Sequence, residues 1–351
     1  MSRPLRIGYL PLLDAGLLLV AAAKGFDAEE GLKFELRREA SWANLRDKLS
    51  LGIYDAAHML APAVVASALG LGGFVAPMIG ACALGLDGNA VSVSPQLAGH
   101  LPLGAAASAS ALRELSLRSR ASGLPPLRFA HVFPYSAHHY LLLLWLRMAH
   151  IEKREVRLTV TPPPLMRESV TGYYIDGFCV GEPWNSLAQE AGAAKVLFPC
   201  VELIRNCPEK VLAFRRETAE QAPEVVEAAA RAVRRAALWG QAAENHAEFC
   251  ALIAGGLEGG ALPHHVAHAI APPTGEAWLR LDAAATALAP EQALFLLALM
   301  AFAGQTAPTE VNAAHAGAAF RAFGGAPAQP QSFGLPRDPA DWRAVFAALT
   351  E

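Results

Sequence analysis

Apolar positions along this chain fall into short continuous runs separated by glycine and polar turns, with helical spacing between them. Ile7–Pro11 reads as a first strand, Ala15–Lys24 as a helix closed by Gly25, and Leu32–Leu36 as a second strand. A helix over Ala43–Leu51 and a strand over Ala56–Leu60 continue an α/β alternation with short connections. Ala90–Ser94 is expected to cross into a second lobe, whose further strands are Arg128–Phe133, Val156–Val160 and Gly177–Val180, with helices over Ala137–Ala149 and Pro164–Thr171. The return crossing is placed near Val201–Leu212. The alanine-rich tract Ala219–Ala243 then opens a C-terminal helical region, and a surface loop over Ala322–Pro336 precedes a last helix, Ala340–Leu349.

One layout occurs twice. Leu49-Ser50-Leu51-Gly52-Ile53-Tyr54-Asp55-Ala56-Ala57-His58 parallels Ser169-Val170-Thr171-Gly172-Tyr173-Tyr174-Ile175-Asp176-Gly177-Phe178: a helix, a glycine, an acidic residue and a buried strand. The second strand ends in Val180-Gly181-Glu182-Pro183-Trp184-Asn185, where glycine, carboxylate, proline and indole replace the apolar run. Two similar halves with loops at their strand ends predict a ligand held in a cleft between lobes. The predicted architecture is α/β and two-lobed, residues 1–89 with 206–351 forming the first lobe and 90–205 the second.

Composition narrows the classes. The 351 residues are 53% hydrophobic and only 17% charged, which allows large buried cores. A formal net charge of −3 leaves no footprint for nucleic acid, and the basic stretch Arg113–Arg120 alternates with Leu and Ser as a solvated helix face would. Met59–Leu86 is uncharged and long enough to suggest a membrane span, but Pro62, Pro77 and Gly70, Gly72 and Gly73 favour a buried helix, a turn and a core strand. Met1–Arg6 leads within a few residues into a strand, whereas a signal peptide needs roughly 15–30 residues ahead of the fold; a cytoplasmic location is therefore expected. Five cysteines without a framework spacing point to reduced thiols, with a Cys200–Cys207 bridge as the alternative.

No Walker A motif, dinucleotide-binding glycine fingerprint or G-x-S-x-G elbow occurs, so no catalytic residue and no cofactor is expected. The histidines of Pro263-His264-His265-Val266-Ala267-His268 have a metal-like spacing, but no carboxylate or cysteine adjoins them in sequence, and a helix surface is the expected reading.

Five motifs, Ser41–Leu49, Asp55–Pro62, Phe133–Ser136, Pro162–Pro164 and Phe178–Asn185, resemble the nitrate/bicarbonate-binding branch of the ABC-transporter solute-binding proteins over roughly Arg6 to Trp239. The resemblance extends to the cytosolic sensors of that branch, the NasS type, which work with an RNA-binding, NasT-like antiterminator. It implies a two-lobed periplasmic-binding-protein (type II) fold closing on nitrate or nitrite, and places Trp42, Asn89, His138 and Lys210 at the anion, with Gly85, Pro164, Val180 and Glu182 lining the cleft.

The side chains suit such a ligand. Nitrate is planar, monovalent and weakly basic, so it needs a few directed donors, one compensating charge and a flat apolar wall. His138 stands at a helix start, where free N–H groups favour an anion, although His139 could take its place. A lysine at position 210 favours nitrate or nitrite over metal-assisted bicarbonate. Glu182 would repel an anion and is expected to orient Lys210 or His138, or to bond across the lobes. The alternatives are a transport-associated solute-binding protein for nitrate or bicarbonate and, in a different class, an enzyme resembling those of thiamine-pyrimidine synthesis.

Overall fold

The computed structural model describes residues 3–257, 260–271, 277–307 and 309–321. The loop and helix expected beyond Phe320 lie outside the described residues. Eleven strands among those described form two sheets. They are β1 Arg3–Tyr9, β2 Leu32–Arg38, β3 Ala56–Leu60, β4 Met78–Asp87, β5 Asn89–Val93, β6 Arg128–His131, β7 Arg157–Val160, β8 Gly177–Gly181, β9 Lys195–Pro199, β10 Pro208–Arg215 and β11 Leu279–Arg280.

The first sheet has the order β11-β4-β10-β3-β1-β2 and the second β7-β6-β8-β5-β9. In each, the strands of the repeated α/β layout are parallel: β1 with β2 and β3, and β6 with β7 and β8. The strands nearest the crossings run antiparallel: β10 against β3 and β4, and β5 against β8 and β9. The chain leaves the first sheet at Asp87, turns on Gly88 and enters the second at Asn89; it returns between Pro199 and Pro208. Gly88 has φ +93°, and a Cβ there would lie 2.9 Å from Leu279, so the turn requires glycine at this position.

Strands read as continuous apolar runs are buried on both faces. Val211 and Ala213 of β10 pack into a core shared with the second sheet, while Leu212 and Phe214 face the helices Gly16–Lys24, Pro223–Gly240 and His246–Leu257. Met59–Leu86 resolves into the end of β3, helix Ala61–Ala68, a glycine turn and β4, and no described helix is long and apolar enough to cross a membrane. Arg113–Arg120 lies on helix Ala105–Ala121, which buries Ala105, Ser108, Ala109 and Leu112. β9 and β11 have no counterpart in the sequence reading, being short and half-polar. All five cysteines are free and buried, and Cys200 approaches Cys179 (Sγ to Sγ 3.8 Å) rather than Cys207.

Candidate anion site

Where the two sheets meet, the fold buries a group of polar side chains against one another. Lys210 comes from β10, His58 from β3, and Asp14 from the turn Leu13–Ala15 after β1. The Lys210 ammonium lies 3.0 Å from Asp14 Oδ2 and 2.5 Å from Glu209 Oε2, while Asp14 Oδ1 lies 2.8 Å from His58 Nε2. His58 Nδ1 accepts from Leu10 N, so its Nε2 carries the proton that faces Asp14. Lys210 Nζ also stands 5.5 Å from the centre of the Trp42 ring, which meets His58 edge-on.

The second sheet adds neutral groups. Asn89, the first residue of β5, donates from Nδ2 to Glu209 Oε1. His138, in the first turn of helix Ala137–Met148, points Nε2 at Glu209 Oε2 from 3.9 Å. Its neighbour His139 turns away and packs on His131, ring centres 4.3 Å apart, so His138 is the histidine that faces the cluster. Ser136 fixes this helix start, its hydroxyl accepting from His139 N. Burial is complete: Lys210, His58 and His138 are 0% exposed, Glu209 1%, and Trp42 and Asn89 2%.

Among the described residues, several polar atoms of this buried group have no hydrogen-bond partner: Trp42 Nε1, both ring nitrogens of His138, Asn89 Oδ1 and, at the end of β8, Glu182 Oε1; Asp14 Oδ1 and His58 Nε2, 2.8 Å apart, face each other outside hydrogen-bond geometry. Buried polar groups are nearly always paired, so orphans gathered in one place mark where a further molecule fits. Burial pushes the Asp14 carboxyl up, but Lys210 and His58 overcome it and hold it far below the usual carboxylate range. Lys210 is likewise opposed by burial and kept charged by Asp14 and Glu209. Burial raises Glu209, with Lys210 offsetting only part of the rise, and it drives His138 well below the ordinary imidazole value, helped by Lys210. The site is thus one fixed ammonium, one fixed carboxylate, one carboxyl that burial raises and a neutral imidazole.

Other expected residues take different places. Gly85 (φ +148°) is opposite Lys210 in the β4–β10 register, and a Cβ on it would point at Arg280 O, 3.0 Å away on the β11 side. Val180 packs in the core, and its carbonyl is taken by Asn185 Nδ2. Gly181 instead borders the cleft: a Cβ there would meet Leu12 at 2.7 Å and Asn89 Oδ1 at 3.5 Å. Pro164 lies half-buried in the turn Pro163–Leu165 after the edge strand β7 and has no bond into the cluster. Glu182 orients neither Lys210 nor His138. Its Oε2 accepts from Ser186 N, burial raises it to about 7, and it joins the lobes through its backbone, the carbonyl accepting from Leu13 N.

Sequence reasoning gave Lys210 a free charge for the ligand, whereas two carboxylates already flank it. Asp14, His58 and Glu209 were missed as site residues because nothing in their local sequence signals a shared centre; only the lysine's need for counter-charges could have prompted a search.

A second group also joins the lobes. Glu190 Oε1, on helix Trp184–Glu190, lies 2.8 Å from both His264 Nε2 and His265 Nε2, so a carboxylate does complete the histidine pair, from another part of the chain. His265 Nδ1 accepts from Leu262 N, which leaves the proton on Nε2 facing Glu190. That tautomer sets the proton toward Glu190, which is hydrogen-bonded to His264, and withholds the lone pair a metal would need.

A family model described as the NMT1-like family matches residues 1–254. The chain belongs to the NMT1-like family. Among curated relatives, the nitrate/nitrite binding protein NrtA of Nostoc sp. is 30% identical over 253 residues, 70% of this chain and 56% of that protein. The bicarbonate-binding protein CmpA of Synechococcus sp. is 25% identical over 261 residues, 72% of this chain and 57% of that protein. The chain thus spans about half the length of the binding proteins it matches. Among solved structures, the periplasmic nitrate-binding protein NrtA from Synechocystis superposes with a TM-score of 0.84 at 21% identity, covering 99% of this chain and 98% of that one. The alkanesulfonate-binding protein SsuA from Xanthomonas axonopodis gives 0.64 at 17%, over 90% and 98%. The fold is that of the two-lobed periplasmic binding proteins.

Proposed function

We propose that this member of the family binds nitrate or nitrite between its two lobes and acts as a cytoplasmic sensor. The observation that carries the anion reading is the set of orphaned groups, Trp42 Nε1 and the ring of His138, inside a sealed cluster built around Lys210. A planar oxyanion accepts from the indole N–H and from the single N–H of neutral His138, and offers the ammonium a further partner. Relatives that carry nitrate/nitrite binding in their names support the same ligand class, and relatives that are binding and transport proteins support a non-enzymatic role. Because the cluster has almost no exposed surface, an anion enters only when the first sheet and its helices swing away from the second, the hinge lying at Gly88 and in the return crossing.

Opening and closing then link the anion to a partner: whichever of the two states the partner prefers, the anion shifts that equilibrium by its own preference. In this reading the partner is a NasT-like, RNA-binding antiterminator, held by the ligand-free protein and released by the anion. The protein itself makes no contact with nucleic acid or membrane.

Calorimetric titration of metal-free protein with nitrate, nitrite and bicarbonate, the last also with calcium, tests the ligand. Nitrate or nitrite should bind without metal, and His138→Leu should weaken binding at least about tenfold, the loss of one good hydrogen bond. Silence towards both anions, or a response to bicarbonate only with calcium, overturns the reading. Size-exclusion chromatography with the antiterminator tests the sensor role, which predicts a complex that nitrate dissolves. A complex indifferent to nitrate, or none at all, leaves a transport-associated binding protein.

A further inference from the structure

Three of the four residues expected to hold the anion converge on a side chain of the protein itself. Lys210 Nζ, Asn89 Nδ2 and His138 Nε2 all face the Glu209 carboxylate, the first at 2.5 Å, the second in a hydrogen bond and the third at 3.9 Å. An ionised carboxylate is a planar O–C–O group with one delocalised charge, the shape and charge of nitrite and of two-thirds of nitrate. We propose that Glu209 is a built-in substitute for the ligand: ionised, it holds the donors and keeps the site shut to anions, and it yields them when it takes up a proton. This inference rests on the anion reading above.

Charge counting supplies the physical reason. Around Glu209 stand Lys210 on its own strand, Asn89, His138, Asp14, the buried carboxyl Asp87 and the thiols Cys200 and Cys207. His138 and both thiols are held neutral by burial. Asp87 is held by the N–H groups of Asn206 and Cys207; apart from it, Asp14, Lys210 and ionised Glu209 sum to one negative charge, and a monovalent anion would make two in a group buried from solvent. Such a state is strongly disfavoured at low dielectric. Protonating Glu209 restores the single charge and converts an acceptor into an O–H donor that can bond the anion. The balance is one solvent proton taken up per anion bound, with no other species consumed.

Titration of the intact protein with potassium nitrate at pH 6 and pH 8, in two buffers of different ionisation enthalpy, counts that proton directly. Wild type should take up about one proton per nitrate, its affinity falling about tenfold per pH unit where free Glu209 is ionised. Glu209→Gln keeps size and hydrogen bonds but removes the charge; it should take up almost none and bind at pH 8 at least about tenfold more tightly than wild type. Nitrate binding by wild type without proton uptake, or a variant no tighter at pH 8 with an unchanged pH slope, overturns the role of Glu209 while the anion reading stands. Absence of nitrate and nitrite binding at both pH values overturns both. Should Glu209→Gln not fold, the same count in Asp87→Asn and Glu182→Gln, the other buried carboxyls that burial raises, decides: uptake of about one proton must persist in both, and its loss in either overturns the role of Glu209.

Discussion

The two lobes are built on one plan and differ where they face each other. In the first, Asp55 accepts from the backbone N–H of Arg6 and from its guanidinium at 2.9–3.0 Å; in the second, Asp176 does the same for Arg128 at 2.7–3.2 Å. Each aspartate's own N–H returns a bond to that arginine's carbonyl. Ser41 caps the helix that starts with Trp42, and Ser136 caps the one that carries His138. The framework repeats because each parallel sheet must tie the start of a strand to the loop that enters its neighbour. The cleft side does not repeat. The first lobe supplies the charged residues Asp14, Glu209 and Lys210, and the second supplies neutral Asn89 and His138 with the half-titrated Glu182. A duplicated frame with a charge-asymmetric cleft indicates that the frame serves stability and the cleft serves the ligand.

Four substitutions test that division. The largest effect is expected from Lys210→Met, which strands Asp14 and Glu209 in a dry interior; it should cost about 3–5 kcal/mol in denaturant unfolding as well as anion binding. A loss of binding with unchanged stability would mean that the ammonium is not the keystone of the first lobe's side of the cleft.

Glu182→Gln comes next. Its carboxyl, raised to about 7 by burial, binds a proton in the folded state that the unfolded chain releases above about 4.3. Its contribution to stability is therefore greatest at low pH and declines as pH rises through the window from about 4.3 to 7. The glutamine variant should remove that decline and be more stable than wild type at pH 8 by roughly 1–3 kcal/mol. Parallel pH–stability curves for the two proteins would show that Glu182 does not carry the titration.

The smallest effect belongs to the frame. Asp55→Ala and Asp176→Ala should each cost about 1 kcal/mol, the lost bonds to a backbone N–H and a partly solvated guanidinium, and leave anion affinity unchanged. Asp176 should cost more, its pair being less exposed (36% and 24% against 48% and 33%). A large loss of nitrate affinity in either variant would break the separation of frame from cleft.

Much of the frame was legible. β3 and the cores of β1, β2, β5, β6 and β8 stand where periodicity put them, because inner strands such as β3 and β8 are buried on both faces and largely apolar, whereas the edge strand β2 alternates. The duplicated Gly–Asp layout predicted paired halves, and the Arg–Asp ties confirm the correspondence atom by atom. β9 escaped notice because its apolar run, Val196–Phe198, is only three residues long between Lys195 and Pro199.

The site was legible only in part. Trp42, Asn89, His138 and Lys210 do converge, yet the sequence said nothing of Asp14 or His58, which lie more than 40 residues apart and meet only because β1 and β3 are neighbours in the sheet. It also left Glu209 as a mere neighbour of Lys210, since a strictly alternating strand would send adjacent side chains to opposite faces. The register shifts in β10 between Pro208 and Val211 accompany the exception, with both side chains brought to one centre. By itself, then, the sequence determined the α/β alternation and the duplicated frame, which follow from local spacing and hydrophobicity, whereas Lys210 was placed at the ligand by resemblance alone. The tertiary structure alone decided which carboxylates neutralise that lysine and which donors are left unpaired, because long-range register and burial, not local sequence, set charge balance.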